Sequence, residues 1–198
     1  QNANYLMQGV TTVVVGNDGG GVPGRAAAFE RMREHGIGTD VAFYAGHNRI
    51  RRAVLGLEDR APEPEELDRM RAEVEAAMED GALGLSTGLF YMPGTYATTD
   101  EVVALARVAA EHDGVYDSHL RDEASYGEGL LAAVEEAIDI GRRAHLPVHI
   151  AHLKALGRDV WGQSREVIDA VEFARSDGVE VTADQYPYVA SGTSLSSS

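Results

Sequence analysis

Short apolar, β-branched runs alternate along the chain with longer charged segments whose apolar residues recur at helical spacing. The runs Thr11 to Val15, Asp40 to Tyr44, Ala82 to Leu85, Gly114 to Asp117, Val148 to Ala151 and Val179 to Ala183 are read as strands. Between them, Pro23 to His35, Pro64 to Asp80, Thr99 to His112, Glu128 to Ala144 and Ser164 to Ser176 are read as helices, and Asn4 to Gln8 is helix-like. Start signals support several of these: Pro64 precedes Glu65 and Glu66, and Thr99 precedes Asp100 and Glu101. Gly36, Gly81, Gly114 and Gly178 come after helices as stop signals. Such regular alternation predicts an α/β protein with a parallel sheet.

The polar residues at the strand ends narrow the architecture. Asp18, His47, Ser86, His119, His152 and Asp184 stand at or just after successive strand ends, separated by 29, 39, 33, 33 and 32 residues. That is the length of one βα unit. In a (β/α)₈ TIM barrel, polar residues recurring once per unit converge on the mouth at the C-terminal strand ends. A doubly wound sheet would gather them near one switch point instead. The expectation is a partial (β/α)₈ barrel of the metal-dependent hydrolase type with about six βα units visible, against about 250 residues for a closed barrel. A compact six-unit α/β domain is the alternative.

Composition limits the partners. Lys and Arg total 17 against 32 Asp and Glu, a net charge of -15 that repels nucleic-acid phosphates and anionic membranes and leaves a small molecule as the expected partner. With 44% hydrophobic residues the chain is able to bury a sizeable core, and without cysteine any metal must sit on His, Asp, Glu or water. No signal-like start and no membrane-length apolar run is present in the sequence, so a soluble, cytoplasmic protein is expected.

The candidate chemistry lies at the strand ends. His119, in Tyr-Asp-Ser-His-Leu-Arg-Asp-Glu, and His152, in Val-His-Ile-Ala-His-Leu-Lys, are one βα unit apart and placed to share an ion; neutral imidazole suits zinc. Hydrogen-bonded core histidines are the alternative for either one alone. Asp18, in a Gly-rich turn after Val13-Val-Val, is able to bind or bridge metal ions or simply to form a turn. That turn lacks the Lys-Ser/Thr ending of a phosphate-binding loop. Lys154, two residues after His152, suits an anionic substrate group or is an ordinary surface lysine. Ser86, Thr87, Tyr91 and Tyr186 add hydroxyls at strand ends. His149, three positions before His152, is expected to face the helices. His35, His112 and His145 fall at helix ends, and His47 either lines the mouth or caps a loop.

Taken in order, Gly9-Val-Thr-Thr-Val-Val-Val-Gly-Asn-Asp-Gly, Gly46-His-Asn-Arg-Ile-Arg, Gly84-Leu-Ser-Thr-Gly-Leu-Phe-Tyr-Met-Pro-Gly, Ser118-His-Leu-Arg-Asp-Glu, His149-Ile-Ala-His-Leu-Lys and Asp184-Gln-Tyr-Pro-Tyr resemble the N-acyl-D-amino-acid deacylases (D-aminoacylases) of the amidohydrolase superfamily. The resemblance implies hydrolysis of the amide bond of N-acyl-D-amino acids, with one or two Zn²⁺ ions as cofactor. It implies that His119 and His152 are zinc ligands and that Asp18 holds a metal-bridging position, where many family members carry cysteine. It also implies that Lys154, Tyr91 and Tyr186 hold the substrate carboxylate. The family's first-strand His-x-His pair is expected upstream of Gln1 and its catalytic Asp beyond Ser198, so no general base is identified within the chain. Residues 1–198 are accordingly read as the central part of the barrel domain, without the family's β-sandwich and by itself inactive. Rival readings are a ring-opening cyclic amidase of the hydantoinase kind, a metal-free barrel in which Lys154 forms a Schiff base, and a non-catalytic scaffold.

Overall fold

The computed structural model describes residues 2–193. Its seven strands are β1 (Thr12–Val15), β2 (Asp40–Phe43), β3 (Ala45–Gly46), β4 (Gly84–Gly88), β5 (Val115–His119), β6 (Val148–Ile150) and β7 (Val181–Ala183). The helices are α1 (Ala3–Leu6), α2 (Arg25–His35), α3 (His47–Leu55), α4 (Pro64–Glu79), α5 (Thr99–Ala110), α6 (Leu130–Ala144) and α7 (Ser164–Ser176). All strand pairings are parallel: β1 pairs with β2, and β3-β4-β5-β6-β7 form a second sheet in sequence order. Only Tyr44 separates β2 from β3, so the run predicted to end at Tyr44 is followed at once by a second, two-residue strand. Backbone bonds from Leu83 N to Phe43 O (2.8 Å) and from Tyr44 N to Val15 O (3.0 Å) carry the hydrogen bonding across the break.

The strand order never reverses, which excludes the doubly wound alternative for these strands. Among the described residues the wall stays open; no pairing joins β7 to β1.

Register explains which side carries chemistry. Leu85, Tyr116, Val148 and Val181 lie in one row across four strands, and all are buried. Helices α4 to α7 pack side by side, with α5, α6 and α7 lying against the strands and Met70, Val74, Val102, Leu105, Val134 and Ile140 filling the core. The next row, on the opposite face, reads Ser86, Asp117, His149 and Thr182. The sheet thus has one apolar face under helices and one polar face that ends at the candidate site.

This register corrects the reading of His149. It faces the polar side with Asp117, and its ring contacts Thr182 Oγ1 (2.9 Å) and Asp184 Oδ2 (3.2 Å). Strand alternation does not extend to His152, which lies beyond β6 in a turn with φ 39°, so counting three residues back from it gives the wrong face.

Caps set several helix starts. Thr98 accepts a hydrogen bond from Glu101 N ahead of α5, and Glu63 and Glu66 form a reciprocal capping box around Pro64 at the start of α4. Gly114 does not take the left-handed turn expected of it; Asp113 does, with φ 56°.

Helix α3 has no counterpart among the predicted elements. It begins at His47 immediately after β3, and His47 is fully buried with Nε2 2.8 Å from Glu101 Oε1. Buried Arg51 donates from Nε to the same oxygen at 3.1 Å and from its Nη atoms to Glu58 O and Arg60 O. His47 therefore ties α3 to α5 instead of lining the mouth. Gly46, just before it, needs its missing side chain: a Cβ there would lie 2.1 Å from Gly21 N and 2.6 Å from Gly19 O. Both obstacles are backbone, so Gly46→Ala is expected to lower stability by at least about 1–3 kcal/mol, read as a reduced denaturation midpoint with an unchanged denaturant slope.

Candidate metal centre

Three chain segments deliver one candidate ligand each. Asp18 sits in the turn after β1, where Ser86 Oγ donates to Gly16 O (2.5 Å) and accepts from Gly19 N (3.2 Å). Arg49 N, from α3, donates to Gly19 O at 3.1 Å. These bonds pin the turn against β4 and α3, and Asp18 adopts φ 51°, a left-handed conformation that Asp tolerates better than most residues. His119 ends β5. His152 comes after β6 with its backbone N–H donated to Asp184 Oδ1 at 2.5 Å, while Leu153 N bonds Asp184 O. Asp184 thus holds the turn that aims His152. Two of the three candidate ligands sit in left-handed backbone, the kind of local strain that surrounding structure maintains at functional sites.

The ligand atoms of Asp18, His119 and His152 all lie within 4.8 Å of one another. His119 Nδ1 is 2.9 Å from His152 Nε2, and Asp18 Oδ1 is 3.4 Å from His152 Nε2 and 3.8 Å from His119 Nδ1. Asp18 Oδ1 is buried and has no hydrogen-bond partner. Burial opposes ionisation of Asp18, but the neighbouring His152, His119 and Lys154 outweigh it and hold the carboxyl below its usual range. Burial pushes His119 down to about 4. Burial also disfavours charge on His152, yet Asp18 and Glu123 raise it to about 9. An orphaned carboxylate oxygen facing two imidazoles is a donor set that fits a divalent cation.

Around this centre lies a cleft lined by Phe90, Tyr91, Tyr126, Leu156, Lys154 and Tyr186, with Glu123 at its base. The Tyr91 ring centre lies 4.6 Å from that of His119 with the planes tilted by 48°, and its hydroxyl accepts from Thr193 Oγ1 at 3.3 Å. Lys154 Nζ lies 5.6 Å from the Tyr186 ring centre, and the Tyr186 hydroxyl is buried without a hydrogen-bond partner. The six singled-out residues Asp18, His119, His152, Lys154, Tyr91 and Tyr186 are thus brought together, whereas His47 is not.

Glu123 is the residue that sequence reading passed over. It is 6% exposed, pairs with Lys154, and places Oε1 3.2 Å from His152 Nδ1. Burial raises its pKa, but His152, His119 and Lys154 hold it below the usual carboxylate value. Its place four residues after His119, in a run already singled out, was the available signal. Asp117, two residues before His119 on the polar face, is pushed up to about 7 by burial, and its Oδ2 has no partner.

No family model matches the chain. It is 39% identical over 215 residues to the D-aminoacylase of Alcaligenes xylosoxydans xylosoxydans, an alignment that takes in 96% of this chain and 43% of that protein. It superposes with a TM-score of 0.84 and 37% identity on the crystal structure of N-acyl-D-glutamate deacylase from Bordetella bronchiseptica, solved with zinc and a phosphonate mimic of the reaction's tetrahedral intermediate; 93% of this chain and 43% of that one are covered. The chain is homologous to the N-acyl-D-amino-acid deacylases of the amidohydrolase superfamily. It spans less than half the length of the deacylases it matches. Likeness to the L-hydantoinase of Arthrobacter aurescens, at TM-score 0.53 and 14% identity over 90% of this chain and 40% of that one, is a likeness of fold alone. No helix among the described residues is long and apolar enough to cross a membrane.

Proposed function

We propose that the protein carrying this chain is a zinc-dependent amidohydrolase that cleaves N-acyl-D-amino acids to a D-amino acid and a carboxylic acid, and that residues 1–198 are the central part of its (β/α)₈ barrel. The observation that carries this reading is the convergence of Asp18, His119 and His152 on one point at the strand ends. Homology to deacylases over 95–96% of the chain supports it over the ring-opening amidase. Bound there as one or two ions, zinc supplies a Lewis acid that polarises a carbonyl and acidifies water.

The chain's own residues do the rest of what it contributes. Asp18, His119 and His152 hold the cation. Lys154, at the cleft wall, meets the substrate α-carboxylate as a point charge, with Tyr91 and Tyr186 lining the same cleft. Phe90, Tyr126 and Leu156 form the less polar part of the cleft wall. A Schiff-base role for Lys154 is disfavoured by its ion pair with Glu123, which engages the nitrogen that would have to attack a carbonyl. The full-length protein, assayed with N-acyl-D-amino acids and with hydantoins before and after chelation, is expected to turn over only the former and only with metal; turnover of hydantoins alone would defeat the reading.

Asp18 offers a hard oxygen where many relatives of this kind carry a soft thiolate. Asp18→Cys is therefore expected to raise affinity for Zn²⁺ relative to Mn²⁺ by about tenfold or more. Competition against a chromophoric chelator, with both metals, measures the ratio; an unchanged ratio would show that residue 18 is not a ligand.

A further inference from the structure

The segment leaving β5 is anchored residue by residue. Leu120 is buried; Arg121 donates to both Glu136 carboxylate oxygens at 2.8 Å and to Thr95 O and Ala97 O. The Asp122 carboxylate accepts the backbone N–H groups of Ala124 (2.7 Å), Gly127 (2.7 Å) and Gly129 (3.1 Å). Glu123 is next, with its carbonyl accepting from Leu156 N at 2.7 Å. Its carboxylate is thereby set down at a fixed place against the candidate metal centre.

The hydrogen-bonding capacities of its neighbours then assign it a task. His152 Nε2 faces Asp18 and His119, so as a metal ligand it must present a lone pair there. A neutral imidazole with its lone pair on Nε2 carries its proton on Nδ1. Nδ1 has two polar neighbours: Glu123 Oε1 at 3.2 Å and Lys154 Nζ at 2.8 Å. A lysine ammonium has three donors and no acceptor, so it cannot receive that proton. If Lys154 donated to Nδ1, the proton would move to Nε2 and the ligand would be lost. Glu123 is the neighbour able to accept from Nδ1, and its contact with Lys154 draws the ammonium toward the carboxylate.

We propose that Glu123 is a positioning residue that fixes His152 in the Nδ1-protonated tautomer with Nε2 turned to the metal, while keeping Lys154 from claiming Nδ1. This rests on the reading of Asp18, His119 and His152 as metal ligands. Outer partners of ligating histidines are worth roughly 10–100-fold in metal affinity.

Two measurements on the zinc-loaded full-length protein test it. Nitrogen-15 NMR of its histidine rings is expected to show His152 with a protonated Nδ1 and a metal-shifted Nε2 in the unsubstituted protein; a protonated Nε2 would overturn the proposal whatever the variants do. Chelator competition is expected to rank zinc affinity as Glu123, then Glu123→Gln, then Glu123→Met, with a loss of about 10–100-fold at Met; equal affinity in all three would overturn it. The amide of Glu123→Gln still accepts a hydrogen bond, so an intermediate value marks the acceptor and not the charge alone. Unsubstituted protein that binds no zinc would instead defeat the metal reading itself, which keeps the two failures apart.

Discussion

Full-length protein carrying His119→Ala or His152→Asn is expected to retain little or no zinc while keeping its fold. Each ring supplies one of the three candidate ligand atoms that the described residues gather within 4.8 Å, so its loss should exceed the roughly 10–100-fold that accompanies removal of an outer partner. Asparagine is chosen at 152 because the native φ of 39° there penalises a residue such as alanine. His149→Ala is the internal control: its ring touches Thr182 and Asp184, and metal content should change little. Metal per chain after desalting, together with far-UV circular dichroism, decides the matter; full zinc occupancy in both ligand variants would remove the proposed centre.

Lys154→Met is expected to lower kcat/KM for N-acyl-D-amino acids by about 10–100-fold, the equivalent of one charge-assisted hydrogen bond of about 1.5–3 kcal/mol. The matching N-acyl-D-amino-acid amides, which lack the carboxylate, should lose far less. The comparison matters because Lys154 also pairs with buried Glu123, and removing it leaves that carboxylate with His152 as its remaining close partner. Any disturbance of the metal centre would act on both substrate types, whereas loss of carboxylate recognition acts on one. Equal losses on acid and amide would show that Lys154 does not meet the carboxylate.

The strand ends were legible in the sequence because the buried row of Leu85, Tyr116, Val148 and Val181 had to be apolar, and the polar residues beyond it had to be read against it. Asp18, His119 and His152 stand out against it, and Lys154 follows from its place two residues after His152. The fourth strand runs further than predicted, since Ser86, Thr87 and Gly88 look like loop residues yet all are buried, Ser86 bonding the turn that holds Asp18 and Thr87 the Tyr116 hydroxyl. Helix α3 escaped notice because His47, Arg49, Arg51 and Arg52 mask its few apolar positions, and because it starts without a connecting turn. What made Arg51 tolerable there is Glu101, which is 50 residues away and invisible to local pattern. Glu123 was missed for a related reason: its partners His152 and Lys154 come from the next βα unit, and an acidic residue after a strand has no periodicity to betray it. His149 was misassigned because alternation was carried past the end of β6 into a left-handed turn.

The uninterrupted strand order governs how this chain opens and closes. Each sheet pairing joins neighbours in sequence, so every one closes a loop of about one βα unit, and loop-closure entropy grows only slowly with length. No pairing has to wait for a distant segment to arrive. Local opening is then expected to be graded by position in the row: β4, β5 and β6, hydrogen-bonded on both sides, should be the last to exchange their amide protons, while β1 and β7, bonded along one side among the described residues, should be the first. The candidate ligands follow the same gradient, with His119 on an inner strand and Asp18 after an edge strand, so the centre joins slow and fast parts of the molecule.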